Sequence, residues 1–143
     1  MTYLLDTNVV SELRRRQPDR HVLAWFESVP SARLFLSVLT VGEIRRGIER
    51  LKRKDAVRAE SLEWWLRGLR DTYRDHVIDI DAETAQEWGR LNVPDLNVPD
   101  PLPVIDGLLA ASAKVRGWAL VTRNTADLAR CGVALVNPFE PPP

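Results

Sequence analysis

Short apolar runs alternating with amphipathic segments predict an α/β protein, a three-layer α/β/α sandwich around a five-stranded, mostly parallel sheet. Two observations carry this prediction. Five apolar runs recur along the chain, each three to five residues long. Between them lie stretches whose apolar residues recur every three or four positions, the period of a helix buried on one side. Strands separated by helices need crossover connections, and these give parallel pairing with helices on both faces. The bulk numbers agree: 143 residues, 45% hydrophobic and 28% charged, suit one compact folded domain rather than a disordered chain.

The elements follow in order. Tyr3 to Leu5 is a buried strand that ends at an acid, and a helical stretch follows through Val10 and Leu13, closed by Arg14, Arg15 and Arg16. Asp19 to Val29 reads as a helix with Val22, Leu23, Trp25 and Phe26 as its apolar positions. Leu34 to Val38 is a strand. Thr40 to Leu51 is an amphipathic helix built on Val41, Ile44, Ile48 and Leu51. Arg58 to Tyr73 is a helix with Leu62, Trp65, Leu66 and Leu69 on one face; Val77 to Ile80 is a strand; Ala82 to Leu91 is a helix. Asn92 to Pro103 is a proline-rich loop with a tandem NVPD, to which no function attaches. Val104 to Val115 (helix), Trp118 to Thr122 (strand), Thr125 to Arg130 (short helix) and Val133 to Val136 (strand) complete the pattern, and PFEPPP forms a tail.

Composition excludes several functions. The lone Cys131 forbids an intrachain disulfide, and with only His21 and His76 there is no His/Cys zinc site. A metal would have to be held by oxygen, which suits magnesium or manganese. The N-terminus lacks a basic leader followed by an apolar run, and no stretch is long enough to span a bilayer, so the cytoplasm is the expected location. Net charge is zero, but it is unevenly placed: seven basic residues oppose two acids over 45–58, and six acids oppose one arginine over 79–100. The basic stretch reads either as a solvated helix face or as a flank that steers a polyanion.

In parallel sheets ligands bind at the carboxyl ends of strands. Asp6 follows the first strand; it reads as a site acid or as a helix N-cap. Asp106 lies in PVIDGLLAASA, with no basic residue between Arg90 and Lys114. A buried carboxylate without a partner costs several kcal/mol, which a bound cation would remove; the alternative is an exposed acid favoured by the helix dipole. Glu43 fits a capping box with Thr40 as N-cap, a role compatible with a place at the sheet rim. Asn124 and Asp127 follow the fourth strand in the order of a cap and a first-turn acid. Acids brought together from separate strand ends repel unless a cation lies between them. The chemistry that calls for such a cluster is metal-assisted phosphoryl transfer on nucleic acid. Trp64 and Trp65 point about 100° apart on a helix, so they read as packing or contact residues rather than a base-stacking pair. His21 and His76 read as surface residues and Cys131 as a packed one. A phosphoacceptor role would need Asp79 or Asp81, but the lysine expected after the fifth strand is absent.

LLDTNVVSEL at 4–13, LTVGEIRRGI at 39–48, PVIDGLLAASA at 103–113 and LVTRNTADL at 120–128 resemble the PIN-domain family. The similarity is greatest to VapC-type toxins of bacterial toxin–antitoxin pairs, including the FitB-like branch. The resemblance runs from Tyr3 to about Pro138, placing a PIN domain at 1–138 and a proline-rich tail at 139–143. It implies a magnesium-dependent (or manganese-dependent) endoribonuclease, the toxin of a type II system. Asp6 and Asp106 would be the metal ligands, with Glu43 and Asp127 as further catalytic acids. Thr7, Asn8, Thr122 and Asn124 would support them. The family often carries an acid near Asn124 or Asp127, and an amide at 124 is the departure here. The resemblance further implies an RNA substrate, a cognate antitoxin that blocks the site and binds DNA, and a homodimer or toxin–antitoxin hetero-oligomer. The alternative is a non-catalytic PIN-like module working inside a DNA-binding complex with its antitoxin.

Overall fold

The computed structural model describes residues 1–92 and 102–142. Within them, β1 (Tyr3–Leu5), β2 (Leu34–Ser37), β3 (Val77–Ile78), β4 (Ala119–Val121) and β5 (Ala134–Val136) form one sheet in the order β3-β2-β1-β4-β5, every pair parallel. The helices are α1 (Thr7–Glu12), α2 (Arg20–Ser28), α3 (Val38–Lys52), α4 (Ala56–Thr72), α5 (Ala82–Leu91), α6 (Val104–Arg116) and α7 (Thr125–Leu128).

Successive strand residues face opposite sides of a sheet. Leu4 and Leu120, with Phe35 beside them, point into a core shared with Leu109, Ala110 and Ala113 of α6. Leu5, Leu34, Leu36 and Val121 point the other way, onto Val9 and Val10 of α1 and onto Trp25, Trp65 and Leu69. Ile44 and Ile48 of α3 pack on Ala59 and Leu66 of α4 in a third cluster. The predicted three layers are therefore present, and Trp65 packs between the last two clusters. Trp64 is exposed, with the Arg67 guanidinium 5.2 Å from its ring centre.

Strand order reverses at β1: the chain steps outward to β2 and β3, then returns to β4 on the other side. A crevice opens at such a reversal, outside the carboxyl ends of the two central strands. Here those ends are Leu5 and Val121, so Asp6 and Thr122 stand at its mouth.

Several boundaries differ from expectation. The second strand stops at Ser37, and Val38 already belongs to α3. Ser37 is the N-cap, accepting from the Leu39 N–H at 3.1 Å, so the Thr40–Glu43 capping box does not form. A serine directly after an apolar strand outcompetes a threonine one turn later, because the helix gains residues by starting earlier. Ser37→Ala is expected to cost about 1 kcal/mol. Glu43→Ala is expected to cost less, because the cap does not use it; urea midpoints compare the two. The third strand ends at Ile78 rather than Ile80, and Asp81 caps α5 by accepting from Thr84 N–H at 2.9 Å. That occupation leaves Asp81 a structural acid, not a phosphoacceptor. The helix expected over 125–130 ends at Leu128 and passes into a single 3-10 turn, Ala129–Cys131. His76 is not a surface residue: its ring stacks on Phe35 with centroids 4.3 Å apart, and Nδ1 lies 2.9 Å from the Leu34 carbonyl. His21 is half-buried at the start of α2. Cys131 is buried, as read. Apart from Asn92, the NVPD repeat lies outside the described residues; Asn92 Oδ1 accepts from the Leu102 N–H at 3.0 Å.

Candidate active site

Asp6 is buried at 5% exposure and serves as N-cap of α1, where one carboxylate oxygen accepts from the Thr7 N–H at 2.7 Å. Its other oxygen accepts from the Thr122 hydroxyl at 2.7 Å and from the Asn8 amide at 3.5 Å. The N-cap reading of Asp6 is therefore observed, and it is compatible with a site role. The cap fixes the carboxylate; it does not consume it. Thr122 in turn accepts from the Asn124 N–H at 3.1 Å, and Asn8 Oδ1 accepts from the Arg123 N–H at 3.5 Å. These bonds tie the loop after β1 to the loop after β4, across the crevice.

Glu43 is carried by α3 one turn beyond its start, and its Oε1 accepts from the Thr7 hydroxyl at 2.5 Å. The same hydroxyl lies 3.3 Å from the hydroxyl of Thr40, which is fully buried. Thr40, read from the sequence as a helix cap, instead lies inside α3 and touches the candidate site through Thr7. Its signal was the lack of any reason for a second cap so soon after Ser37.

Asp106 sits in the first turn of α6, half-buried. In a parallel sheet the helix preceding a strand runs back from the carboxyl edge, which puts the start of α6 at the crevice. Gly107, the next residue, lets the turn lie close against α5: a Cβ there would stand 3.1 Å from the Trp88 ring. Asp127 lies exposed in the first turn of α7. Asn124 occupies the N-cap position of α7 but makes no side-chain capping bond, contrary to expectation, since its backbone φ and ψ are −89° and 44°.

The electrostatics show which acids face one another. Burial pushes the Asp6 carboxyl above the ordinary aspartate range, and the charges of Asp106 and Glu43 push the same way, against the hydrogen bonds from Thr122 and Thr7. Burial also raises Asp106, reinforced by Glu43 and Asp127. The charges of Glu43 and Asp106 thus reach Asp6, and those of Glu43 and Asp127 reach Asp106. No ion pair among the described residues includes any of them. Arg123, the cation next in sequence to Thr122, lies instead over the Phe139 ring, 3.8 Å from its centre.

Among the described residues, no three His, Cys, Asp or Glu side chains converge into a ready-made metal cage. That spacing still suits a hard cation. Magnesium keeps most of its waters and is commonly held by one or two carboxylates together with substrate phosphate. The donor set is oxygen only, with Asp6 buried and hydrogen-bonded in place and Asp106 and Glu43 half-buried beside it, and such donors fit a divalent ion.

Comparison with known proteins agrees with this geometry. The chain is 34% identical to the plasmid stability protein StbB of Pseudomonas syringae pv. tomato, over 96% of this chain and 98% of that protein. It is 31% identical to VapC ribonuclease Y4jK of Sinorhizobium fredii and to toxin FitB of Neisseria gonorrhoeae, with the same coverage. Among solved structures it resembles FitAcB from Neisseria gonorrhoeae, at TM-score 0.88 and 28% identity, covering 97% of this chain and 99% of that one. It also resembles FitAB bound to a DNA fragment, at TM-score 0.84 and 29% identity, covering 99% of each chain. The PIN-domain family model matches residues 3–132, nearly the whole described fold, and the chain belongs to the PIN-domain family.

Proposed function

We propose that the chain is the toxin of a toxin–antitoxin pair and a divalent-metal-dependent endoribonuclease. One observation carries this reading: burial and the charges of neighbouring acids both raise the cost of ionising Asp6 and Asp106, and neither joins an ion pair among the described residues. The ribonuclease and toxin names of full-length relatives support the activity. FitAB solved on DNA supports a partner antitoxin and a complex that contacts DNA. No described helix is long and apolar enough to cross a membrane.

Asp6 and Asp106 would hold the ion, magnesium or manganese. When bound, it supplies Lewis acidity toward a phosphodiester. The other groups are the chain's own. Thr122 and the Thr7 N–H aim the Asp6 carboxylate. Thr7 holds Glu43 by Oε1, which leaves Oε2 to take the proton of the attacking water. As water oxygen bonds to phosphorus, the bond to the leaving ribose oxygen breaks and that oxygen takes up a proton. Asp127 lies at the exposed edge of the group, and Asn124 and Asn8 frame the crevice mouth.

Sequencing of RNA ends after brief induction tests the reading. Wild type is expected to create new ends at defined sites. Thr122→Val, which frees the Asp6 carboxylate without touching substrate, is expected to weaken metal affinity about 10–100-fold and cut correspondingly less. The reading fails if induction yields no new RNA ends. A non-catalytic module, favoured by the amide at Asn124, predicts that outcome together with intact antitoxin binding.

A further inference from the structure

Thr7 and Glu43 also line one side of a cavity of about 360 Å³ between α1, α3 and α4. Its rim carries Arg14, Arg50, Lys54 and Arg58, and its floor is apolar, with Leu62 and Trp65 among the lining residues. Four cations thus face one carboxylate. None of the four takes part in an ion pair among the described residues, and all four are exposed. Two other cations of α3 behave differently: Arg45 is 2.8 Å from Glu63, and Lys52 is 2.7 Å from Glu49. Arg14 and Arg58 also line a second cavity, of about 640 Å³, together with Arg15 and Arg16. Basic surface therefore begins at Glu43 and leads away from the acids, rather than covering them.

We propose that this cavity seats the nucleotide of the RNA substrate next to the scissile phosphate. The guanidinium and ammonium groups of the rim hold its flanking phosphates, and the apolar floor takes the sugar and base. The inference rests on the ribonuclease reading and adds to it the place where the strand lies. Clustered cations without partners repel one another, and a polyanion relieves that cost. Arginine suits phosphate by its paired donors. An apolar floor beneath a charged rim matches a base with its phosphate, the pattern of single-strand binding grooves. The volume is that of a small-ligand pocket, enough for one nucleotide rather than a folded element. An acidic protein segment would satisfy the rim but has no need of the shared wall at Glu43, where the strand must enter the acid group.

Binding of a fluorescent single-stranded oligouridylate to the full chain, in EDTA to prevent cleavage, tests this by anisotropy across a range of salt. Two double variants, Arg50→Ala/Lys54→Ala and Arg14→Ala/Arg58→Ala, are compared with Arg20→Ala, which removes a cation that lines neither cavity. Circular dichroism checks that each is folded. Each double variant is expected to lose about tenfold or more in affinity. The slope of log affinity against log salt should become shallower by about 0.7 per cation removed. In magnesium, their KM for RNA should rise more than kcat falls. Arg20→Ala should match wild type throughout. Wild-type affinity and salt slope in both double variants would overturn the proposal. So would variants that bind and cut RNA normally but are no longer neutralised by the antitoxin, which would assign the cavity to an acidic protein segment. If wild type binds through these residues yet cuts no RNA in magnesium, the ribonuclease reading fails and the subsite stands.

Discussion

Asp106→Asn is expected to reduce RNA cleavage by about a hundred- to a thousandfold or more while leaving the fold intact, and Asp6→Asn is expected to do the same. The scale is that of losing one preorganised electrostatic group in a reaction whose charge grows in the transition state. The fold should survive for reasons specific to each position. At Asp6 an asparagine still caps α1, since Asn is among the preferred N-caps. At Asp106 the side chain caps nothing: the N-cap of α6 is Pro103 and has no side-chain bond, so an amide in the first turn forfeits only a dipole contribution of about 0.3–1 kcal/mol. Cleavage kinetics with purified protein, beside thermal unfolding, separate the two effects. Cleavage lost together with the fold would mean that these acids are structural.

The second large effect concerns stability without metal. Asp6 and Asp106 both have folded-state pKa values above the ordinary aspartate value of about 3.9, chiefly through burial. Between that ordinary value and their raised folded values, the folded chain holds more protons than the unfolded chain. Stability from these two groups is therefore fully present below the ordinary value and is lost as pH rises through the raised values. Asp81 and Glu87 act in the opposite direction, since hydrogen bonds lower their pKa values and their contribution is lost on acidification. The readout is accordingly the difference in melting temperature between wild type and Asp6→Asn/Asp106→Asn in EDTA. Wild type is expected to lose ground to the double variant as pH rises from about 4 to 7. Magnesium should restore it at neutral pH, by about 2.7 kcal/mol at a hundredfold excess over its dissociation constant. The double variant should not respond. A pH-independent difference would mean that the two carboxyls titrate as ordinary surface acids.

Much of this was legible in the residues, and the reasons are physical. Strands such as Tyr3–Leu5 and Ala119–Val121 are almost wholly buried, so their apolar runs were unambiguous. Asp106 stood out because an acid amid apolar residues, far from any basic one, has few structural uses. Boundaries were less legible where two caps competed. Ser37 and Thr40 both suit an N-cap, and Ser37, directly after the strand, takes the role and starts the helix early. The same competition hid Thr40 and explains why Glu43 was ambiguous: its partner, Thr7, is 36 residues away in sequence. The cavity rim was half visible. The basic stretch 45–58 was noted, but its convergence with Arg14 depends on α1 lying beside α3, and no local pattern encodes that. His76 was read as a surface residue because it lies near no motif, whereas its ring stacks on Phe35 of β2, a contact that local sequence does not encode.

Calorimetric titration of Mn²⁺ into the metal-free full chain at neutral pH bears most directly on the acid group. Wild type should give saturable heat, and Asp6→Asn/Asp106→Asn, equally folded, should give none. Equal heats from the two proteins, or no binding by either, would contradict the claim that these carboxylates gather to hold a divalent ion.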